Sequence, residues 1–191
     1  MKTYFKICTI LLIFIFFGCD IFEVRNPESP SDPKSGYSVP VEPRDVIQNI
    51  ITAFNERNAN DYRKNFAEGP PIMNRVFLFN PSGNVVSSFP PNWTIDEEFQ
   101  YFNNLVTRTP QDIPINLSFV GDQIDIQADS AIYSAEYSIS VPIQNSEPQI
   151  YGGSLKFTMI NENTTWVIYF WEDIAKVGAK SWSELKIEFY L

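Results

Sequence analysis

From residue 113 onward apolar and polar positions alternate. "IPINLSFV" sets Ile113, Ile115, Leu117 and Phe119 on one side, and "IYSAEYSISV" sets Tyr133, Ala135, Tyr137, Ile139 and Val141 against Ser134, Glu136, Ser138 and Ser140. "YGGSLKFTM" continues with Tyr151, Gly153, Leu155, Phe157 and Met159, and "TWVIYFWED" is apolar on both faces. A period of two predicts strands with one buried face, and the last run predicts a central strand covered on both sides. Gly152-Gly153 marks an expected bulge.

Upstream the period is that of a helix. Val46, Ile47, Ile50, Ile51 and Phe54 fall on one face, with Pro43 and Asp45 suited to a helix start. Asn58 to Asn60 breaks this helix, Tyr62 and Phe66 continue on a second short one, and Gly69-Pro70-Pro71 ends it. "MNRVFLFNPSGNVVSSF" reads as an extended segment with a turn at residues 81–84. "NWTIDEEFQYFNNLV" predicts a third helix, with Trp93, Phe99, Phe102 and Val106 on its apolar face and Thr94 or Asp96 as cap. Helices first and antiparallel strands after predict an α+β domain: N-terminal helices packed on a curved antiparallel sheet.

The N-terminus has a different character. Ile7 to Phe17 is nearly unbroken apolar sequence, short for a membrane span of about 20 residues. Lys2 and Lys6 precede it, and Gly18-Cys19 ends it. This arrangement resembles the bacterial lipoprotein signal, although Phe16 and Phe17 are bulkier than that family's usual residues. The resemblance implies a signal peptide over residues 1–18, acylation of the Cys19 thiol, and a membrane anchor on a protein of the bacterial cell envelope. Asp20 resembles an inner-membrane retention signal of enteric bacteria. Other lineages read that position differently, so the membrane stays open.

Each buried CH₂ contributes about 0.8 kcal/mol, so several acyl chains on one residue hold firmly. Residues 19–43 are rich in proline, serine and acids and read as the lipidated cysteine plus a tether. Residues 20–43 fully stretched reach roughly 80 Å at about 3.3 Å each. Residues 44–191 form the expected domain.

Composition narrows the chemistry. Loss of residues 1–18 removes Lys2 and Lys6 and no acid, leaving 12 bases against 23 acids. That balance disfavours nucleic acid. With Cys8 removed and Cys19 acylated, neither a disulfide nor a cysteine metal site is expected. The chain has no histidine, which excludes histidine bases, histidine triads and histidine metal ligands. No cofactor and no metal are expected; Asp122, Asp125 and Asp129 lack the spacing of a calcium loop.

Among the acids, Asp61 suits a cap, Glu97 and Glu98 complement a helix dipole, and Glu136 shares a face with serines. Asp173 follows the most apolar strand and is the acid least easily explained by such roles. Phe66, Trp93, Phe102, Phe157, Trp166, Trp171 and Asp173 are the candidate lining of a ligand pocket. Core packing explains the same aromatics.

The helix pair ending in "DYRKNFAE", the helix "WTIDEEFQYFNNL" and the late hairpin from "YGGSLKFTM" into "TTWVIYFWED" together resemble the nuclear transport factor 2-like superfamily. The resemblance is closest to its bacterial lipoproteins, with Trp166, Ile168, Trp171 and Asp173 in a shared strand pattern and a similar "SWSELKIEF" tail. It implies a cone-shaped domain over residues 44–191 that often encloses an apolar pocket. It also implies homodimers through the outer sheet face, where Ile132 or Ile160 would serve. Two functional expectations follow. One is a non-catalytic domain binding a small apolar ligand or an envelope protein. The other is an isomerase, dehydratase or cyclase whose acid and tyrosine converge on an open cone pocket.

Overall fold

The computed structural model describes residues 35–83 and 85–191. The expected signal peptide, Cys19 and most of the expected tether lie outside the described residues. No helix among the described residues is long and apolar enough to cross a membrane.

Residues 35–42, assigned above to the tether, run along the first helix, α1 (Pro43–Glu56). Asn49 accepts from Ser38 N at 3.1 Å and donates to Ser38 O at 2.7 Å. Pro40 O accepts from Trp166 N at 3.0 Å. Polar side chains of α1 thus supply the backbone partners that an extended segment lacks.

α1 begins as its sequence predicts: Pro43 occupies the first turn, and Glu42 and Asp45 form a reciprocal capping box. Val46, Ile47, Ile50, Ala53 and Phe54 are buried. The helix stops at Arg57, whose φ is 55°. The Arg57 guanidinium then donates to Thr109 Oγ1 at 2.7 Å and to the carbonyls of Val106 and Pro110, tying down the end of another helix. The expected break at Asn58 is a cap: its side chain accepts from Asp61 N and starts α2 (Ala59–Arg63).

The extended segment that follows contributes the short strand β1 (Leu78–Asn80). α3 (Ile95–Arg108) carries a capping box between Thr94 and Glu97. Its buried face is Ile95, Glu98, Tyr101, Phe102, Leu105 and Val106. Trp93 precedes the helix, and Phe99 lies at its half-exposed shoulder beneath the Arg63 guanidinium.

Four long strands follow: β2 (Asn116–Gln127), β3 (Ser130–Ile143), β4 (Ser146–Glu162) and β5 (Thr165–Ala175). The sheet order is β1-β5-β4-β3-β2, antiparallel except where β1 joins β5 in parallel. The α+β expectation holds, with a mixed sheet because of that added edge strand. Tyr133, Ala135, Tyr137, Ile139 and Val141 are buried, as are Tyr151, Leu155, Phe157 and Met159. β5 is next to the edge rather than central. Trp166, Val167 and Ile168 are buried in succession because residues 65–67 lie along that strand: Ile168 N donates to Asn65 O at 2.8 Å, and Ala67 N to Ile168 O at 2.9 Å.

The expected bulge at Gly152-Gly153 is absent. Gly152 faces Ser138 and Gly153 faces Tyr137 in unbroken register; irregularities fall at Val120/Gln123, Val141/Ile143 and Thr158/Met159 instead. Gly153 answers a different need. A Cβ there would stand 2.5 Å from Ile174 O and 2.6 Å from the Tyr137 hydroxyl.

The tail "SWSELKIEFY" forms α4 (Trp182–Tyr190) behind a Ser181/Glu184 capping box. It buries Trp182, Ser183, Leu185 and Lys186. The helical layer is therefore not only N-terminal: the last element of the chain completes it.

Gly153→Ala should lower stability by about 1–3 kcal/mol, since backbone Ile174 O cannot yield cheaply. Gly152→Ala should stay within about 0.5 kcal/mol, because its nearest contact is an ordinary 3.5 Å. Urea denaturation of both variants checks this; equal losses would contradict the packing described.

Candidate functional site

Three carboxylates are buried, Asp61, Glu98 and Asp173; Asp61 is held by Ser35, Asn58 and Lys64, and the other two are each bonded to a tyrosine. Glu98 projects from the buried face of α3. Its Oε1 accepts from Tyr62 OH at 2.7 Å, and its Oε2 accepts from Trp93 Nε1 at 2.7 Å. Oε2 also meets Lys186 Nζ, donated from α4. Both side chains of this ion pair are sealed, with exposures of 1% for Glu98 and 0% for Lys186.

Asp173, on β5, is 4% exposed. Its Oδ1 accepts from Tyr137 OH at 2.6 Å. Its Oδ2 accepts from Ser183 N at 2.8 Å and Ser183 Oγ at 2.5 Å. Tyr137 OH in turn accepts from Trp182 N at 2.7 Å, and Trp182 Nε1 donates to Tyr101 OH at 2.9 Å. Both networks thus end on α4: residues 182 and 183 at its first turn, Lys186 one turn on.

Aromatic rings fill the remaining space. Trp171 meets Trp182 edge-on at 4.6 Å and Phe157 at 5.0 Å. Tyr62 stacks on Phe102 at 3.9 Å, and Phe54 touches both Phe102 and Trp182. The Lys186 ammonium lies 3.6 Å from the Trp171 ring centre and 4.1 Å from that of Phe79. Asn65 Oδ1 and Trp171 Nε1 are the buried side-chain polar atoms without a hydrogen-bond partner among the described residues.

The electrostatics follow from burial. Desolvation lowers Lys186 from 10.5 to about 8, against the opposing pull of Glu98 and, less, Asp173. Tyr62 and Tyr101 are pushed well above 10.0 by burial and then by Glu98. Tyr137 is raised by burial and then by Asp173. All three stay protonated at any ordinary pH: Tyr62 and Tyr137 donate to the carboxylates, and Tyr101 accepts from Trp182 Nε1.

Of the residues expected to line a pocket, Phe66, Phe157 and Trp171 come together: Phe66 stacks on Trp171 at 6.4 Å, and Phe157 meets Trp171 edge-on at 5.0 Å. Trp93 packs with Phe79, Phe89 and Tyr190, and Phe102 with Phe54 and Tyr62. Trp166 lies apart, beside Ile124 and Ile126 at an outer groove. Side chains of the same domain, rather than open space, face most of this set.

Two grooves among the described residues lie at the rim. One groove of about 750 Å³ lies between the end of α3 and the β3–β4 hairpin, touching Arg108, Ile113, Pro142, Tyr151 and Phe189. Another, of about 720 Å³, runs beside residues 176–179 and reaches Asp173 and Ser82. Among the described residues no group of three or more histidine, cysteine or acidic side chains is placed to hold a metal.

Glu98, Lys186, Tyr137 and Trp182 were not marked as site residues by the sequence reading. A signal existed for α4: Trp182, Leu185, Lys186 and Phe189 have helical spacing once the lysine counts as a core position, and Ser181-x-x-Glu184 is a capping-box pattern.

Neither a protein-family model nor a curated protein sequence matches the chain. Solved structures do. A candidate calcium/calmodulin-dependent protein kinase II association domain from Xanthomonas campestris superposes with a TM-score of 0.54 at 11% identity, over 74% of this chain and 94% of that one. A candidate dehydratase of the NTF2-like family from Streptomyces avermitilis gives 0.51 at 11% identity, over 70% and 93%. An NTF2-like superfamily protein from Salmonella enterica gives 0.50 at 14% identity, over 70% and 89%.

Lys186→Met leaves Glu98 buried and uncompensated and should cost about 3–5 kcal/mol. Adding Glu98→Gln should recover at least about 2 kcal/mol of that loss. Strict additivity in a denaturation cycle would contradict a coupled pair.

Stability should also depend on alkaline pH in two opposed limbs. Between about 8 and 10.5 the unfolded chain keeps a proton that native Lys186 has released, so stability rises with pH. Above 10.0 the unfolded tyrosines ionise while native Tyr62 and Tyr101 do not, so stability falls. Denaturation midpoints across this range should show a maximum, and Lys186→Met should lose the rising limb. A monotonic fall in the parent chain would contradict the assignment.

Proposed function

We propose that this chain uses a nuclear transport factor 2-like fold as a lipid-anchored, non-catalytic binding domain of the bacterial cell envelope. The anchor reading rests on the apolar run Ile7 to Phe17 ending at Gly18-Cys19, with a proline-rich stretch between Cys19 and the folded domain. The non-catalytic reading rests on one observation: among the described residues, aromatic rings and α4 pack around the buried acids. The acid–tyrosine pairs that an isomerase or dehydratase would need are present, as Glu98 with Tyr62 and Asp173 with Tyr137. Their hydrogen-bonding capacity is spent on one another, on Trp93, on Lys186 and on Ser183.

A general acid or base must come within hydrogen-bond reach of its substrate. Here α4 and the aromatic rings occupy the positions from which a substrate would reach Glu98. Recognition is then left to the outer surface, where one rim groove sets Ile113, Pro142 and Phe189 beside Arg108 and Glu188. The partner this favours is another envelope macromolecule rather than a small apolar molecule held in the cone.

Full-length chain and a Cys19→Ser variant, produced in a bacterial host, test the anchor. The parent should sediment with membranes and yield an N-terminal peptide that begins at Cys19 and carries acyl mass. The variant should move to the soluble fraction. A parent chain that begins at Met1, or carries a bare Cys19 thiol, contradicts the anchor. Turnover of a small ketone or enol that Glu98→Gln or Asp173→Asn abolishes contradicts the non-catalytic reading.

A further inference from the structure

The surroundings of Lys186 Nζ are those of a ligand site. Ring centres of Trp171, Phe79, Tyr101 and Trp93 lie 3.6, 4.1, 5.2 and 5.6 Å from it. All four rings are at most 8% exposed. A single carboxylate, Glu98, closes the set and is itself fixed by Tyr62 OH and Trp93 Nε1. Aromatic faces attract a cation most strongly when water is excluded, and a carboxylate beside them adds a charge-assisted hydrogen bond that a primary ammonium can donate.

Ordinary core packing does not require this arrangement. A methionine or leucine at position 186 together with an uncharged residue at position 98 would fill the same volume without the desolvation of two charges. We infer that the centre of the cone is a recognition site for a primary alkylammonium group, which the chain itself fills with Lys186.

α4 is the element that delivers the occupant. It follows residues 176–180, which are exposed, with Val177 at 102% and Gly178 at φ 80°. The rings and Glu98 belong to other elements: Trp171 to β5, Phe79 to β1, and Tyr101 and Glu98 to α3, with Trp93 just before α3. Removing the Lys186 side chain beyond Cβ therefore leaves the cage walls in place. The vacancy has the shape and charge of propylammonium.

The inference stands apart from membrane anchoring and from the non-catalytic reading, because it concerns what the cone centre binds rather than where the domain lives. The test uses the full-length Lys186→Ala chain with propylammonium, and with 1-propanol as the uncharged probe of the same shape. Propylammonium should raise the Tm of the variant saturably, by about 5 °C at concentrations well above its Kd, and leave the parent chain unmoved. 1-Propanol should not raise it. If Lys186→Ala does not fold alone, propylammonium should restore its near-ultraviolet circular dichroism and 1-propanol should not. Lys186→Met, whose side chain keeps the cage filled, should not respond to propylammonium. Equal rescue by 1-propanol, equal response of the parent chain, or no rescue by propylammonium would overturn the inference.

Discussion

One positive charge is held out of water at the middle of this domain, and the closure of the cone depends on how that charge is compensated. A buried ammonium is costly unless it is paired and hydrogen-bonded. Glu98 supplies the pair, Tyr62 and Trp93 hold Glu98 in place, and four aromatic faces surround the ammonium. Burial lowers Lys186 to about 8, so desolvation outweighs the attraction of Glu98. The partners come from α2, α3, α4, β1 and β5, so satisfying this charge sets the whole interior at once.

The second network follows from the same placement of α4. Once Lys186 is seated, Trp182 and Ser183 lie against Tyr137 and Asp173, and the first turn of the helix gains a carboxylate acceptor. Gly153 leaves room for the Tyr137 ring beneath it. Glu98 and Asp173 are spent on holding the chain's own last helix. The chemistry of the site is that of a fastened core.

The strands were legible because their pattern is strict: Tyr133 to Val141 alternates without exception, and burial follows it. α1 was legible from its apolar face and its cap. Asp173 stood out because an acid after a doubly apolar strand lacks an ordinary explanation. Glu98 and Lys186 were hidden for one physical reason. Hydrophobic periodicity treats a charge as a surface marker, and these two charges occupy core positions of amphipathic helices. Glu98 was read as a first-turn acid, although the turn places it on the same face as Phe102 and Leu105. Gly152-Gly153 was read as a bend because glycine permits one, whereas the register shows that a neighbouring ring needs the space. Long-range pairing between residues 98 and 186 has no local signature, so only the fold brings it to view.

Native-state hydrogen exchange reports most directly on whether α4 closes the cone as an integral part of the core. Amides of Leu185 to Phe189 and the indole Nε1–H of Trp182 should exchange only through global unfolding, with the same free energy and denaturant dependence as the β3–β4 strands. Exchange of α4 at a markedly lower free energy, insensitive to denaturant while the sheet stays protected, would contradict a cone sealed by the Lys186–Glu98 pair.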